Sequence, residues 1–448
     1  MDDALPVVVH TRLLILWWVT MTTTRHRAVK VALDPTPHQE HLLMSHAGAA
    51  RFAFNTMLAY VKDGLNNGDR VNWSMYSLRK TWNEMKTTVA VDDNGRQWWA
   101  DNNKESYSYG IECLAKGLKN FSDSRAGRRA RDVGFPKFKS KSSTPPKFAC
   151  TTGRFGLIED DPKAVRIPRI GRIHCFENVA ARVGDGAVTR VTVSRLAGRW
   201  FASLTVRDTI EIDERDTNHP VGVDVGVSRL ATLSDGSMVD NPRSLQRNLS
   251  KLAKKHRALS RTCKGSRRRE RAKRQVQKTY RRVVNIRQDV IHKATTSIAR
   301  RYTDICIEDL NVSGMARNSR LSRSIYDASM SEFHRQLEYK APRYGSRVHY
   351  VDRFYPSSKT CSSCGEVKAT LHLGDRVYEC ASCGLVLDRD VNAAINIVVA
   401  GSTPETVNAR GGTVRPTVNM TVGKSLGSAN QDDSWSSLPQ GTDVTQHK

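Results

Sequence analysis

Val221-Gly-Val-Asp-Val-Gly-Val-Ser-Arg-Leu-Ala-Thr-Leu-Ser-Asp-Gly236 reads as a β-hairpin. Val221, Val223, Val225 and Val227 alternate on one face, and a second apolar run follows from Leu230 to Leu233. Asp224 stands mid-strand, where a carboxylate is unfavourable unless something offsets its charge. Gly222 and Gly226 flank it and are expected to leave room for a phosphate or a metal.

Working outward, Asp304-Ile-Cys-Ile-Glu-Asp-Leu310 is a second short strand of buried type, ending on Glu308. Leu387-Asp-Arg-Asp-Val-Asn-Ala-Ala-Ile-Asn-Ile397 leads into a helix expected over 391–400, with Asp388 or Asp390 near its N-cap. Each acid has an ordinary explanation: Asp390 as a helix cap, Glu308 as a strand-end residue. Together they follow an RNase H-like order of strand with Asp, hairpin, long helix, strand with Glu, further α/β elements, then helix with Asp. Three carboxylates brought together repel unless cations neutralise them, and hard oxygen ligands suit Mg²⁺ or Mn²⁺. Two such ions about 4 Å apart activate a water and stabilise the leaving oxygen in phosphodiester cleavage. On this expectation Asp224 bridges both ions, while Glu308 and Asp390 each complete one site.

Four of the nine cysteines are ordered. Cys361-Ser-Ser-Cys364 and Cys380-Ala-Ser-Cys383 are two CxxC knuckles, each followed by glycine, Gly365 and Gly384. That spacing suits a closed, structural four-thiolate Zn²⁺ site, the alternative being a disulfide pair. Cys113, Cys150, Cys175, Cys263 and Cys306 are scattered and read as free thiols of a reducing compartment.

The formal net charge of +26 makes a polyanionic partner the leading expectation. The excess concentrates in 243–302, expected to form one or two long helices with a thin apolar stripe at Leu252, Leu259, Val276, Tyr280 and Val283. Lys251, Lys254, Lys255, Arg267, Arg268, Arg269, Arg274, Arg281, Arg282, Arg287 and Lys293 are the candidate nucleic-acid contacts. Such like-charge density repels itself on a bare helix.

Elsewhere, Arg27–Leu33 reads as a strand, and Pro35 and Pro37 lead into a helix. His38-Gln-Glu-His41 is one residue short of a metalloprotease spacing and marks a helix start. Trp73, Trp82, Trp98 and Trp99 are expected to pack helices. Arg190–Arg195 and Trp200–Val206 form a hairpin that could close a small barrel with the first strand. The apolar run Leu13–Val19 is too short to span a bilayer and lacks a signal-peptide pattern. Residues 1–24 are therefore read as a start-site extension, with translation beginning at Met21, and 401–448 as a disordered tail.

At this point the sequence resembles TnpB, the OrfB-type protein of bacterial insertion sequences, a relative of the type V CRISPR effectors. The resemblance rests on Gly222-Val-Asp-Val-Gly226, Ile307-Glu-Asp-Leu-Asn311, Tyr355-Pro-Ser-Ser-Lys-Thr-Cys-Ser-Ser-Cys-Gly365 and Asp388-Arg-Asp-Val-Asn-Ala-Ala-Ile-Asn396. Arg287 with His292-Lys293, and Gly134-Phe-Pro-Lys-Phe-Lys139, fit as well, so that about residues 25 to 400 are covered.

The resemblance implies a transposon-encoded, RNA-guided DNA endonuclease, α/β and multidomain. Residues 25–215 would be a β-barrel wedge domain with a helical recognition insert at about 38–140. Residues 216–400 would be a RuvC, RNase H-like nuclease domain, with a zinc ribbon inserted at 355–387. Asp224, Glu308 and Asp390 would be catalytic, Asp390 being preferred to Asp388 because the family motif runs Asp-x-Asn-Ala-Ala. The implied partners are a guide RNA from the element's own end and double-stranded target DNA. No membrane is involved, a monomer is favoured, and the setting is the bacterial cytoplasm beside the nucleoid. The alternatives are a non-cleaving accessory or regulatory nucleic-acid-binding protein, or a strand-transfer transposase.

Overall fold

A computed structural model describes residues 21–129, 131–212, 219–372, 374–402, 406–407 and 413–414. The stretch Leu13–Val19 and nearly all of 401–448 lie outside them. In chain order the elements begin β1 (Met21–Asp34), α1 (Pro37–Asn66), α2 (Met75–Val89), α3 (Lys104–Arg125), β2 (Lys147–Cys150), β3 (Gly156–Ile158), β4 (Asp161–Ile167) and β5 (Gly171–Cys175). They continue with α4 (Val179–Val183), β6 (Ala187–Leu196), β7 (Arg199–Ile212), β8 (Pro220–Asp224), β9 (Arg229–Leu233), β10 (Met238–Asp240), α5 (Leu249–Ser260) and α6 (Arg267–Arg301). Last come β11 (Asp304–Glu308), α7 (Val312–Met315), α8 (Ser322–Ala328), α9 (Met330–Lys340), β12 (Arg347–Val351), β13 (Val377–Glu379), β14 (Val386–Asp388) and α10 (Arg389–Ser402). The protein is mixed α/β.

It forms two compact units, and the chain enters the second unit three times. The first unit holds the residues up to His219 together with Asn241–Thr303 and Val312–Arg347. The second holds Pro220–Asp240, Asp304–Asn311 and the described residues from Val348 onward.

In the first unit seven antiparallel strands lie in the order β2-β6-β7-β1-β5-β4-β3. The hairpin expected from the alternation is β6–β7, closed at Leu196 opposite Arg199. Val191, Val193, Ala202, Leu204 and Val206 point inward from it onto Leu43, Ala47 and Ala50 of α1. Helix α1 starts as its sequence dictates: Thr36 and Gln39 form a reciprocal capping box, with Pro37 at the first helical position. Its other face packs against α2 and α3 through Trp82, stacked on Tyr107 at 5.2 Å between ring centroids, and Trp98, edge-on to Phe52 at 4.8 Å. The basic stretch divides into two helices, α5 and α6, the second capped by the Ser266 hydroxyl.

The second unit is built on a five-stranded sheet in the order β10-β9-β8-β11-β12. Strands β8 and β9 run antiparallel, as do β9 and β10, whereas β8 and β11 run parallel. Helix α10 packs across β8 so closely that a Cβ at Gly222 would lie 1.9 Å from the Ala394 carbonyl oxygen. The space beside Asp224 attributed to Gly222 is therefore occupied by helix backbone, not left for a ligand. Gly226 is likewise used locally, since a Cβ there would sit 3.1 Å from the Arg229 carbonyl in the hairpin turn. Among the described residues no helix is long and apolar enough to cross a membrane.

Candidate active site and nucleic-acid interface

The parallel register of β8 and β11 pairs Val223 with Ile307. One residue further on, Asp224 and Glu308 end their strands side by side. Asp390 joins them from the first turn of α10. The Asp224 carboxyl is pushed up to about 7 by burial and by the negative charges of Glu308 and Asp390, with Arg389 acting in the opposite direction. Burial also raises Glu308, although the Ser357 hydroxyl, donating to its Oε1 at 2.5 Å, offsets part of this.

Sequence alone left open which acid caps α10, and the geometry decides it. Asp388 Oδ1 accepts from the backbone N–H groups of Asp390 (3.0 Å) and Val391 (3.2 Å). Burial opposes ionisation of Asp388, but Arg229 and these N–H groups hold its carboxyl below the usual range. Arg229 Nη1 lies 2.9 Å from Asp388 and 4.0 Å from Asp390. Asp390 is thus relieved of capping and joins Asp224 and Glu308. The donor set is hard oxygen, with Asp224 and Glu308 both raised by burial, and divalent cations would relieve the repulsion among the acids.

The four thiols form a second cluster in the same unit. Every Sγ of Cys361, Cys364, Cys380 and Cys383 lies within 4.8 Å of the others. The cross-knuckle pairs Cys361–Cys383 and Cys364–Cys380 stand at 3.6 Å. A tetrahedron with Zn–S bonds of about 2.3 Å has edges of about 3.8 Å, so the cluster fits zinc without rearrangement. Gly365 and Gly384 take φ of 79° and 73°, a conformation that disfavours side chains, and their N–H groups close each knuckle on Cys361 and Cys380 at 3.0 Å.

Three stretches match family models: 203–319 a "Probable transposase" model of OrfB type, 331–397 a "Cas12f1-like, TNB domain", and 21–69 a "Helix-turn-helix domain". A Mycobacterium tuberculosis H37Rv protein named "Putative RNA-guided DNA endonuclease" is 35% identical over 87% of this chain and 89% of its own length. Escherichia coli K12 InsQ, under the same description, is 32% identical over 84% and 92%. The chain belongs to the OrfB, or TnpB, family. Among solved structures, a Cas12f1–sgRNA–target DNA complex is 13% identical, covering 84% of this chain and 99% of that one at a TM-score of 0.46.

In this TnpB-family chain the stretch matched as helix-turn-helix is strand β1 followed by one uninterrupted helix of 30 residues. The basic helices also depart in part from expectation. Lys251, Lys254, Arg267, Arg268, Arg274, Arg282 and Lys293 are exposed, as phosphate contacts must be. Lys255 is instead tied to Thr279 Oγ1 at 2.6 Å, bridging α5 and α6. Arg269 donates to the carbonyls of Leu259 and Thr262, closing the turn between those helices. Arg281 lies half-buried over the Phe201 ring at 5.5 Å. Arg287 is a correction: it is buried and paired with buried Asp327 at 2.9 Å. Asp327 in turn accepts from Ser244 Oγ and from the N–H groups of Leu245 and Gln246 ahead of α5. A solvent-excluded guanidinium already neutralised by a carboxylate is unavailable to a phosphate.

Sequence reasoning did not single out Arg229, Ser357, Asn392 or Asn396. The asparagines carried a signal, being two amides spaced i, i+4 on an otherwise apolar helix. Ser357 lies in the quoted Tyr355–Gly365 stretch and Arg229 in the opening hairpin, but nothing in sequence singles out either position or its partner.

Proposed function

We propose that this chain is a transposon-encoded, RNA-guided DNA endonuclease whose RuvC-type core hydrolyses phosphodiesters at Asp224, Glu308 and Asp390. The observation that carries the reading is the desolvated Asp224 carboxyl, pushed up to about 7 between two further acids at the end of paired strands. The antiparallel β10-β9-β8 edge joined in parallel to β11 is the strand arrangement of an RNase H-like core. Relatives of 32–35% identity carry endonuclease names, and this chain carries all three acids of the expected pattern.

Asp224, Glu308 and Asp390 would hold Mg²⁺ or Mn²⁺. When bound, such cations lower the pKa of an attacking water and stabilise the departing oxygen. Arg229 holds Asp388 in its capping role and offsets negative charge beside Asp390. The four thiolates would hold a structural zinc. Residues 25–215 are read as the wedge domain with its helical insert, and 216–400 as the nuclease domain containing the ribbon. The exposed cations of α5 and α6 would bind nucleic-acid backbone, so affinity should fall steeply with salt. Sequence reading is left to a guide RNA, which pairs with the target.

The deciding experiment co-expresses the protein with RNA from the 3′ end of its element. The purified complex then meets duplex target with randomised flanks and Mg²⁺. Guide-dependent cutting that disappears in Asp224→Ala and with EDTA is expected. Tight guide-dependent binding without cutting would replace the reading with a regulatory one.

A further inference from the structure

The segment Tyr355-Pro-Ser-Ser-Lys-Thr360, which leads from β12 into the cysteine ribbon, is bound on two sides. On one side it meets α10, the helix that carries Asp390. Asn396 Nδ2 donates to the carbonyls of Ser357 (2.8 Å) and Thr360 (2.7 Å). Asn392 Nδ2 donates to the Thr360 carbonyl (2.7 Å), and Asn392 Oδ1 accepts from the Ser362 N–H (3.0 Å). Both asparagines are buried, at 0% and 4% exposure. Buried amides are costly unless bonded, and these two direct their bonds to a segment otherwise held by turns and by a single bridge from Thr360 to Val367.

On the other side lies Glu308. Ser357 is itself only 6% exposed, and its hydroxyl donates to Glu308 Oε1 at 2.5 Å. A carboxylate with one oxygen tied to a fixed hydroxyl has its rotamer restricted, which leaves its second oxygen to take another partner. The chain of contacts therefore runs from α10, through Asn392 and Asn396, to the backbone of the ribbon's entry, and through the Ser357 hydroxyl to Glu308. It links two carboxylates that are 82 positions apart in sequence (390 minus 308).

We propose that Ser357 is a positioning residue that orients Glu308 for a divalent cation, and that the Asn392–Asn396 clamp sets Ser357 in register with the helix bearing Asp390. The ribbon's entry segment then acts as a brace between two of the three acids, beyond its role of reaching the cysteines. The inference rests on the reading of the acids as a divalent-cation site.

The test uses the full chain bound to its guide RNA, with Mn²⁺ as the probe and bound Mn²⁺ read by paramagnetic resonance. Cleavage is not needed for the readout. Asp224→Ala defines the signal due to the acid site. Ser357→Ala should keep one zinc per chain and its guide RNA, while half-saturation by Mn²⁺ moves up by about tenfold or more. Ser357→Thr, which retains a hydroxyl, should bind Mn²⁺ more like the unaltered protein. Unchanged Mn²⁺ binding in Ser357→Ala overturns the proposal. So does loss of zinc from that variant, because Ser357 would then be supporting the ribbon fold and not Glu308. A threonine variant as weak as the alanine variant overturns the role of the hydroxyl. If Asp224→Ala leaves Mn²⁺ binding intact, it is the underlying reading of the acid site that fails.

Discussion

Two ligand clusters sit in the same compact unit and are built in opposite ways. The thiolates come from two knuckles, each closed on itself by a glycine turn within five residues, and only one hairpin is needed to join them. The carboxylates come from the ends of two strands and the start of a helix, separated by 84 and 82 positions (308 minus 224, 390 minus 308). The thiolate cluster is closed and has no place for substrate. The carboxylate cluster is held together against its own repulsion by the surrounding fold, a repulsion that divalent cations would relieve. The cysteine cluster is thus made locally, whereas bringing the three acids together requires the whole sheet.

The contrast can be broken by experiment. The largest effect is expected from Cys380→Ser. Structural zinc contributes folding free energy on the order of 10 kcal/mol in small ribbons, so the variant should lose its metal and the ribbon its protection from proteolysis. Metal analysis and limited proteolysis report both, and a variant that keeps a full zinc would show that the cluster is not four-coordinate. Asp224→Ala should do the reverse: cleavage falls by on the order of 10³-fold or more, with zinc content and thermal stability retained. If stability drops as well, the carboxylate site is structural after all.

The third prediction concerns pH. The Asp224 carboxyl titrates near 3.8 when unfolded and at about 7 in the fold. Between those values the folded state holds a proton that the unfolded state has released, so this residue's contribution to stability declines as pH rises through the window. In Mg²⁺-free buffer Asp224→Asn should therefore be more stable than the unaltered protein at pH 8, by at most about 4 kcal/mol, and the gap should close towards pH 4. Denaturant melts at the two pH values give the difference, and a gap that does not change with pH would mean the carboxylates are not crowded. The smallest effect is expected from Gly222→Ala, which drives a Cβ into the α10 backbone. A loss of about 1–3 kcal/mol, with zinc content unchanged, would show that the acid site depends on long-range packing and the ribbon does not.

Much of this was legible in the chain. Period-two alternation located β8, β9 and the β6–β7 hairpin, and Pro35 and Pro37 marked the start of α1. What could not be read were choices that local residues leave balanced. Asp388 and Asp390 are two positions apart and either could cap α10, until Arg229, from another strand, fixes Asp388. Arg287 reads in sequence as one more candidate phosphate contact on α6, and only the arrival of Asp327 from 40 residues away makes it a buried ion pair. Gly222 reads as space for a ligand until a helix from the far end of the domain fills that space.

By itself, then, the sequence determined the two cysteine knuckles, the strands that carry Asp224 and Glu308, and the basic character of the long helices. These depend on spacing, periodicity and composition, which act over a few residues. Tertiary structure alone decided that Asp388 and not Asp390 caps α10, that Arg287 is buried in an ion pair while other cations of the same helix stay exposed, and that the Ser357 hydroxyl meets Glu308. Each of those outcomes depends on a partner brought in by folding, and the energy of a buried charge or hydrogen bond is set by that partner and not by its neighbours in the chain.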